Sequence, residues 1–170
     1  MKLNAAVTLL ACWALVFISS CKKDEDPEPA YEVQSRLLAG AKGSSKTWKL
    51  SSASVTYGSN TEDFEFSACF LDNRYKFTNN ASQDYEASEG ATKCNSTDPT
   101  IVESGHWSFT QDGGILIVLA YDYTNSDGVL FAYFTRPATV VELTDTSLRI
   151  DIEVEYEGDL ETYHINFEAI

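Results

Sequence analysis

Cysteine, histidine and carboxylate are the side chains of this 170-residue chain that could do chemistry, and their spacing limits what that chemistry can be. There are four cysteines: Cys12 within an apolar run, Cys21 directly after Ile18-Ser19-Ser20, and Cys69 and Cys94 in the middle of the chain. A thiol can be an acyl acceptor, half of a disulfide, a metal ligand or a nucleophile, and the last two roles need a basic or metal-binding neighbourhood that lowers its pKa. The two histidines, His106 and His164, each alternate with large apolar residues and so fall on the polar sides of their strands. A catalytic or metal site needs such groups to converge with carboxylates or cysteines in one cleft, and nothing in the spacing makes them converge. Asp151, Glu153, Glu155 and Glu157 recur at every second position, which lines four carboxylates along one face of a strand. A divalent cation is usually wrapped by oxygens from a loop, so this stripe reads as a solvated face. The chain has no Gly-x-Ser-x-Gly, no His-Glu-x-x-His and no phosphate-cradling glycine loop. These observations predict no catalytic residues, no metal site and no cofactor.

The elements that must position these residues begin with the leader. Lys2 is followed by an apolar run from about Ala5, which ends in the small residues before Cys21. A run this short with small residues before a cut is a signal peptide, spanning residues 1–20, rather than a membrane span. The stretch Ile18-Ser19-Ser20-Cys21 also resembles the lipobox of bacterial lipoproteins, which implies that Cys21 is lipidated and becomes the mature N-terminus. Residues 22–29, Lys-Lys-Asp-Glu-Asp-Pro-Glu-Pro, have no apolar side chain to bury and form a solvated tether. Their basic pair and acidic cluster resemble the export signal of Bacteroidetes lipoproteins, implying an outer-membrane, lipid-anchored protein displayed on the cell surface.

Cleavage before Cys21 leaves one domain's worth of chain. It removes Lys2, so 11 basic residues face 26 acidic ones, a formal charge of −15. Phosphate recognition needs clustered Lys and Arg, so nucleic acid is excluded as a partner, and so is electrostatic binding to anionic lipid. Cys69 and Cys94 are then the cysteines left in the folded part, an even pair in an oxidising compartment, and are expected to form a disulfide. Closing a loop of that size stabilises by about 3.5 kcal/mol on the chain-entropy account. The alternative, a reactive thiol, would rely on Lys93 as its basic neighbour.

Along the folded part, Val33, Leu37 and Leu38 fall at helical spacing and Gly40 supplies a stop, so residues 31–45 form a short helix and a joint. From residue 46 to 170 the pattern is of short strands rich in aromatic and β-branched residues. Trp48 and Leu50 share a side. Phe64 and Phe66 alternate with acids, Tyr75 and Phe77 alternate with Arg74 and Lys76, and Tyr85 sits in a further run. Trp107 and Phe109 share a face opposite His106 and Ser108, and Asp112-Gly113-Gly114 turns the chain. Ile115–Tyr123 and 129–134 are apolar at nearly every position, with Asn125-Ser126-Asp127-Gly128 turning between them. Such a hairpin should be covered on both faces, by the barrel interior on one and by the helix, a lid or a protein partner on the other. In the last hairpin a loop at Gly158-Asp159 would pair Val154 with Tyr163, Ile152 with Ile165 and Ile150 with Phe167, leaving Glu153 across from His164.

Lys46-Thr47-Trp48-Lys49-Leu50, Cys69-Phe70-Leu71-Asp72-Asn73-Arg74-Tyr75-Lys76-Phe77, Lys93-Cys94 and Gly105-His106-Trp107-Ser108-Phe109 together resemble the lipocalin-like domain of Bacteroidetes lipoproteins. The chain departs from the pattern at Asn73, where a second aspartate is expected, and in carrying its Gly-x-Trp mid-chain rather than on the first strand. The resemblance implies an all-β fold, a small antiparallel lipocalin-like barrel of about eight strands with Cys69 and Cys94 bridged and the tryptophans inside. An eight-stranded barrel either fills itself with side chains or holds one small apolar ligand. The expected function is a non-enzymatic module that binds a small apolar ligand in the barrel or at its mouth, with Trp48, Phe77, Trp107, Phe109 and Tyr163 as candidate ligand-binding residues. The alternative is a filled barrel that meets a protein partner through the 115–134 hairpin.

Overall fold

The structure is a computed structural model that describes residues 27–123 and 136–170. The expected signal peptide, Cys21, the first part of the expected tether, and the turn expected at Asn125-Gly128 with the strand expected over 129–134 lie outside the described residues. A helix, α1 (Ala30–Ala39), is followed by strands β1 (Ser45–Tyr57) and β2 (Asn60–Asp63), a single helical turn α2 (Ala68–Leu71), and strands β3 (Arg74–Thr78) and β4 (Asp84–Ser88). Strands β5 (Ile101–Phe109), β6 (Ile115–Tyr123), β7 (Ala138–Leu143), β8 (Ser147–Tyr156) and β9 (Asp159–Ala169) complete the chain.

Every pairing is antiparallel, in the order β1-β3-β4-β5-β6-β7-β8-β9, and β9 returns to pair with β1 from Trp48↔Ala169 to Tyr57↔Glu161. That closes an eight-stranded barrel, which removes exposed sheet edges. β2 is an appendage that continues along the second half of β1 where β3 has ended. Alternation explains the core: Trp48 and Leu50, Tyr75 and Phe77, Tyr85 and Ala87, Leu148, Ile150 and Ile152, and Ile165 and Phe167 are all buried inward. A bulge between Leu50 and Ser52 shifts the period of β1, so the next buried residue is Ala53. The described residues thus contain the barrel, its core and its helix.

Three expectations are corrected. The last hairpin turns at Glu157-Gly158, not Gly158-Asp159, because the tight turn needs positive φ at both central residues and these have φ of 52° and 92°. Ile152 therefore faces Tyr163, Ile150 faces Ile165, and Asp151 rather than Glu153 lies across from His164. The slip preserves which side each residue faces, because it moves the register by an even number of residues. Phe64 and Phe66 do not alternate along a strand. β2 ends at Asp63, and the two rings lie in the link to α2, where Phe66 stacks on Phe70 at 4.9 Å. Finally, α1 does not cover the outer face of β6. It lies across one end of the barrel, against β1, β3, β5 and β7.

Gly105 reports how closely β5 and β6 approach. A register shift between Ser104 and Gly105 brings the β6 backbone over it, and a Cβ there would be driven into the carbonyl of Leu119. Gly105→Ala should therefore cost about 2 kcal/mol or more, as overpacking against backbone does, and urea unfolding followed by tryptophan emission will measure it.

Candidate functional site: a sealed floor, an aromatic mouth and a polar wall

The end of the barrel under α1 is sealed. A helix leaves its last carbonyls without intrahelical donors, and here the barrel supplies them. Lys46 Nζ donates to Leu37 O at 2.6 Å, Trp48 Nε1 to Leu38 O at 2.8 Å and Asn79 Nδ2 to Gly40 O at 2.8 Å. The lysine also places a cation at the negative end of the helix dipole. Above this floor Trp107 Nε1 donates to Thr78 O at 3.1 Å, with Phe77 edge-on at 6.2 Å and Phe109 at 5.9 Å.

Of the five aromatic residues proposed to line a ligand, the structure groups four at this end. Trp48, Phe77 and Trp107 are 0, 1 and 2 % exposed, and Phe109 packs half-buried against Trp107. Tyr163 is apart from them, on β9 toward the opposite end. There it stacks on Phe64 at 5.8 Å, and Phe64, Phe66 and Phe70 continue the set of rings at spacings of 5.9 and 4.9 Å. These half-buried or exposed rings, with Val154, form an aromatic mouth. Stacked rings at this spacing each add a modest attraction beyond the area they bury.

Cys69 and Cys94 form a disulfide, Cα to Cα 5.1 Å, which ties α2 to the 89–100 loop beside this mouth. Glu89 Oε1 accepts the Cys94 N–H at 3.2 Å, and Asp72 Oδ2 accepts the Thr92 N–H at 2.9 Å.

Between floor and mouth the wall made by β3, β4 and β5 is polar. Asn73, Tyr75 and Phe77 alternate inward, as do Tyr85, Ala87 and Glu89, and Glu103, Gly105 and Trp107. The register sets Tyr75 beside Ala87 and Ala87 beside Glu103, with Asn73 and Glu89 one step nearer the mouth. Asn73 and Glu103 are 0 % exposed and Glu89 6 %. Sequence reasoning missed this wall because it assigned no face to Asn73, Glu89 or Glu103. Carrying the alternation of β5 back from Trp107 through Gly105 would have placed Glu103 inside. Burial, and then the charge of Glu103, hold the hydroxyls of Tyr75 and Tyr85 well above the usual phenol range.

The outward residues do not converge. His106 sits with Asp84 at 3.4 Å and Tyr121 at 3.5 Å on β4–β6, while His164 bonds Asp151 at 2.7 Å and Thr56 at 3.0 Å on β1, β8 and β9. Of the carboxylate stripe, Asp151 is taken up by His164, Glu153 and Glu155 are exposed, and Glu157 is a turn residue. Among the described residues no cluster of His, Cys, Asp and Glu could hold a metal ion.

Fold and site together define a small, closed eight-stranded barrel with one sealed end. Residues 45–150 match the family model of the lipocalin-like domain, and the chain belongs to that family. No curated protein matches the chain in a sequence search.

The buried tyrosines give a signed pH prediction. Their pKa values are raised in the folded state above the ordinary phenol value of 10.0, so the stabilisation is complete below about pH 10 and falls as pH rises beyond it. Each should contribute a slope of about 1.4 kcal/mol per pH unit, and Tyr75→Phe or Tyr85→Phe should remove its share in alkaline urea titrations.

Proposed function

We propose that this chain is a lipid-anchored, non-enzymatic binding protein of the bacterial cell envelope that holds a small apolar ligand at the mouth of its barrel. The observation that carries the reading is the asymmetry of the interior: a packed, helix-sealed floor against a mouth of half-buried, stacked rings around Phe66, Phe70 and Tyr163. Apolar walls next to a few polar groups are what small-molecule sites require, and membership of the lipocalin-like family agrees. In this reading Trp48, Phe77, Trp107 and Phe109 are the floor on which the site rests, and Tyr163 is the member of the five that meets ligand.

Anchorage would come from acyl chains on Cys21, each buried methylene adding about 0.8 kcal/mol of membrane affinity. The leader pattern and the basic-acidic tether support a Bacteroidetes-type lipoprotein displayed on the outer membrane. Since the tether leads into α1, at the sealed end, the mouth would point away from the lipid. A second reading has its own observation. On the outer face of β6, Leu119 and Tyr121 are 65 and 62 % exposed, a patch that a protein partner at the 115–134 hairpin would cover.

The uncharged probe N-phenyl-1-naphthylamine should brighten on binding the soluble chain from residue 22 onward. Phe70→Ala and Tyr163→Ala should weaken it at least about fivefold, roughly 1 kcal/mol each, while Leu119→Ser should leave it unchanged; sensitivity to Leu119→Ser alone would favour the outer patch. For the address, Cys21→Ala should release the protein from the membrane fraction, and complete protection of the wild-type domain from protease on intact cells would rule out surface display.

A further inference from the structure

The segment from Glu89 to Thr100 lies between the end of β4 and the start of β5, and several of its hydrogen bonds close on itself. Glu89 N–H donates to Thr100 O at 2.9 Å, Asp98 N–H to Asn95 O at 3.0 Å and Cys94 N–H to Glu89 Oε1 at 3.2 Å. Two links tie it to α2. One is the Cys69–Cys94 disulfide, and the other runs from Thr92 N–H to Oδ2 of Asp72, the residue that ends this helical turn. None of the four α2 residues is fully buried, so this corner draws less on core packing than the floor does.

Holding the segment closed is costly. Asp72 Oδ1, Glu89 Oε2 and Asp98 Oδ2 are each shut off from solvent without a hydrogen-bond partner, and among the described residues none of the three carboxyls forms an ion pair. A buried polar group left in this way is destabilised relative to one that meets water. Asp72 also presses on Gly90, where a Cβ would meet its carbonyl oxygen at 2.2 Å. Opening would hydrate all three oxygens. The Thr92 hydrogen bond is too weak to oppose that gain by itself, whereas a covalent link is indifferent to it. The barrel has no such dependence, because its ladders run from Arg74↔Ser88 through to the β1–β9 closure without the bridge.

We propose that the Cys69–Cys94 disulfide is a redox latch: reduction by a dithiol frees α2 and the 89–100 segment while the barrel stays closed, and so opens the mouth. This rests on the mouth being the ligand site and adds its regulation. Phe70, next to Cys69, stacks on Phe66 at 4.9 Å, so slack in α2 reaches the rings of the mouth. Both cysteines are partly exposed, so a reductant can reach them. A thiolate of the dithiol attacks Cys94 Sγ, the S–S bond breaks, and Cys69 leaves as the thiolate. The Ser67 hydroxyl favours that direction, lying 3.1 Å from Cys69 Sγ against 3.9 Å from Cys94 Sγ and so able to donate to the departing sulfur. The second thiol of the reductant, deprotonated in turn, attacks its own partner sulfur in the mixed disulfide and expels Cys94. The two cysteines take up the two protons the reductant gave off, and the dithiol, having passed on two electrons, ends as a disulfide.

The test uses the soluble chain from residue 22 onward, in which Cys69 and Cys94 are the cysteines present. With dithiothreitol, the Thr92 and Cys94 amides should exchange hydrogen at least about tenfold faster by NMR, while the slow amides of β1, β8 and β9 are unchanged. In stopped flow, N-phenyl-1-naphthylamine should associate at least about threefold faster with the reduced chain. Ser67→Ala, at an exposed position, should slow reduction by dithiothreitol at least about threefold, and an unchanged rate overturns the choice of Cys69 as leaving sulfur. Faster exchange throughout the strands would make the bridge a staple of the whole domain and overturns the latch. Unchanged Thr92 and Cys94 exchange, or faster exchange with unchanged probe association, overturns it too. In each of these cases probe binding to the oxidised chain leaves the mouth reading standing, whereas binding to neither form overturns the mouth and its regulation together.

Discussion

The structure depends on how one short helix is held at its C-terminal end. Helix α1 has ten residues, too few to persist alone in water. It persists because Leu37, Leu38 and Gly40, whose carbonyls would be orphans in an isolated helix, receive donors from Lys46, Trp48 and Asn79 of the barrel. The trade is mutual. The barrel gains a cover for its lower end in Leu38 and Ala39, and the Trp48 indole gains the partner that its burial demands. The Lys46-Thr47-Trp48 run is thus a docking device in which alternate residues reach adjacent carbonyls in the last turn of the same helix.

Sealing one end divides the interior. Below, Trp48, Phe77, Trp107 and Phe167 interdigitate at the density of a protein core and leave nothing for a guest. Above, the inward positions of β3, β4 and β5 change from rings to Asn73, Glu89 and Glu103, and the link between β2 and β3 lays Phe64, Phe66 and Phe70 beside them. The disulfide holds this upper corner, where regular pairing has ended and strand hydrogen bonds no longer do so. The tightest packing is therefore in the floor, and the proposed binding would fall to the upper half, as expected where loops on a rigid scaffold carry function.

Much of this was legible. The alternation around Tyr75, Phe77, Trp107 and Ile150 shows in the residue types, because a strand with one wet face cannot hide its period. The Cys69–Cys94 bridge followed from compartment and count. What escaped did so for physical reasons. Glu103 was given no face, although the one it shares with Trp107 was written in the spacing. Phe64 and Phe66 alternate like a strand, yet tertiary stacking on Phe70 and Tyr163 outweighed that local pattern. The hairpin register turned on whether Glu157 would accept positive φ, a cost that strand pairing on both sides can override. That α1 caps an end and not a face could not be read at all, since the carbonyls that fix it belong to the backbone.

Amide and indole hydrogen exchange followed by NMR tests the sealed floor most directly. The Trp48 indole proton should exchange only through global unfolding, with the same opening free energy as the slowest β1 and β9 amides, and adding an apolar ligand should move it only as far as it moves global stability. Exchange of that proton many times faster than those strand amides would show that α1 opens independently of the barrel, and would contradict an account in which the helix is the floor.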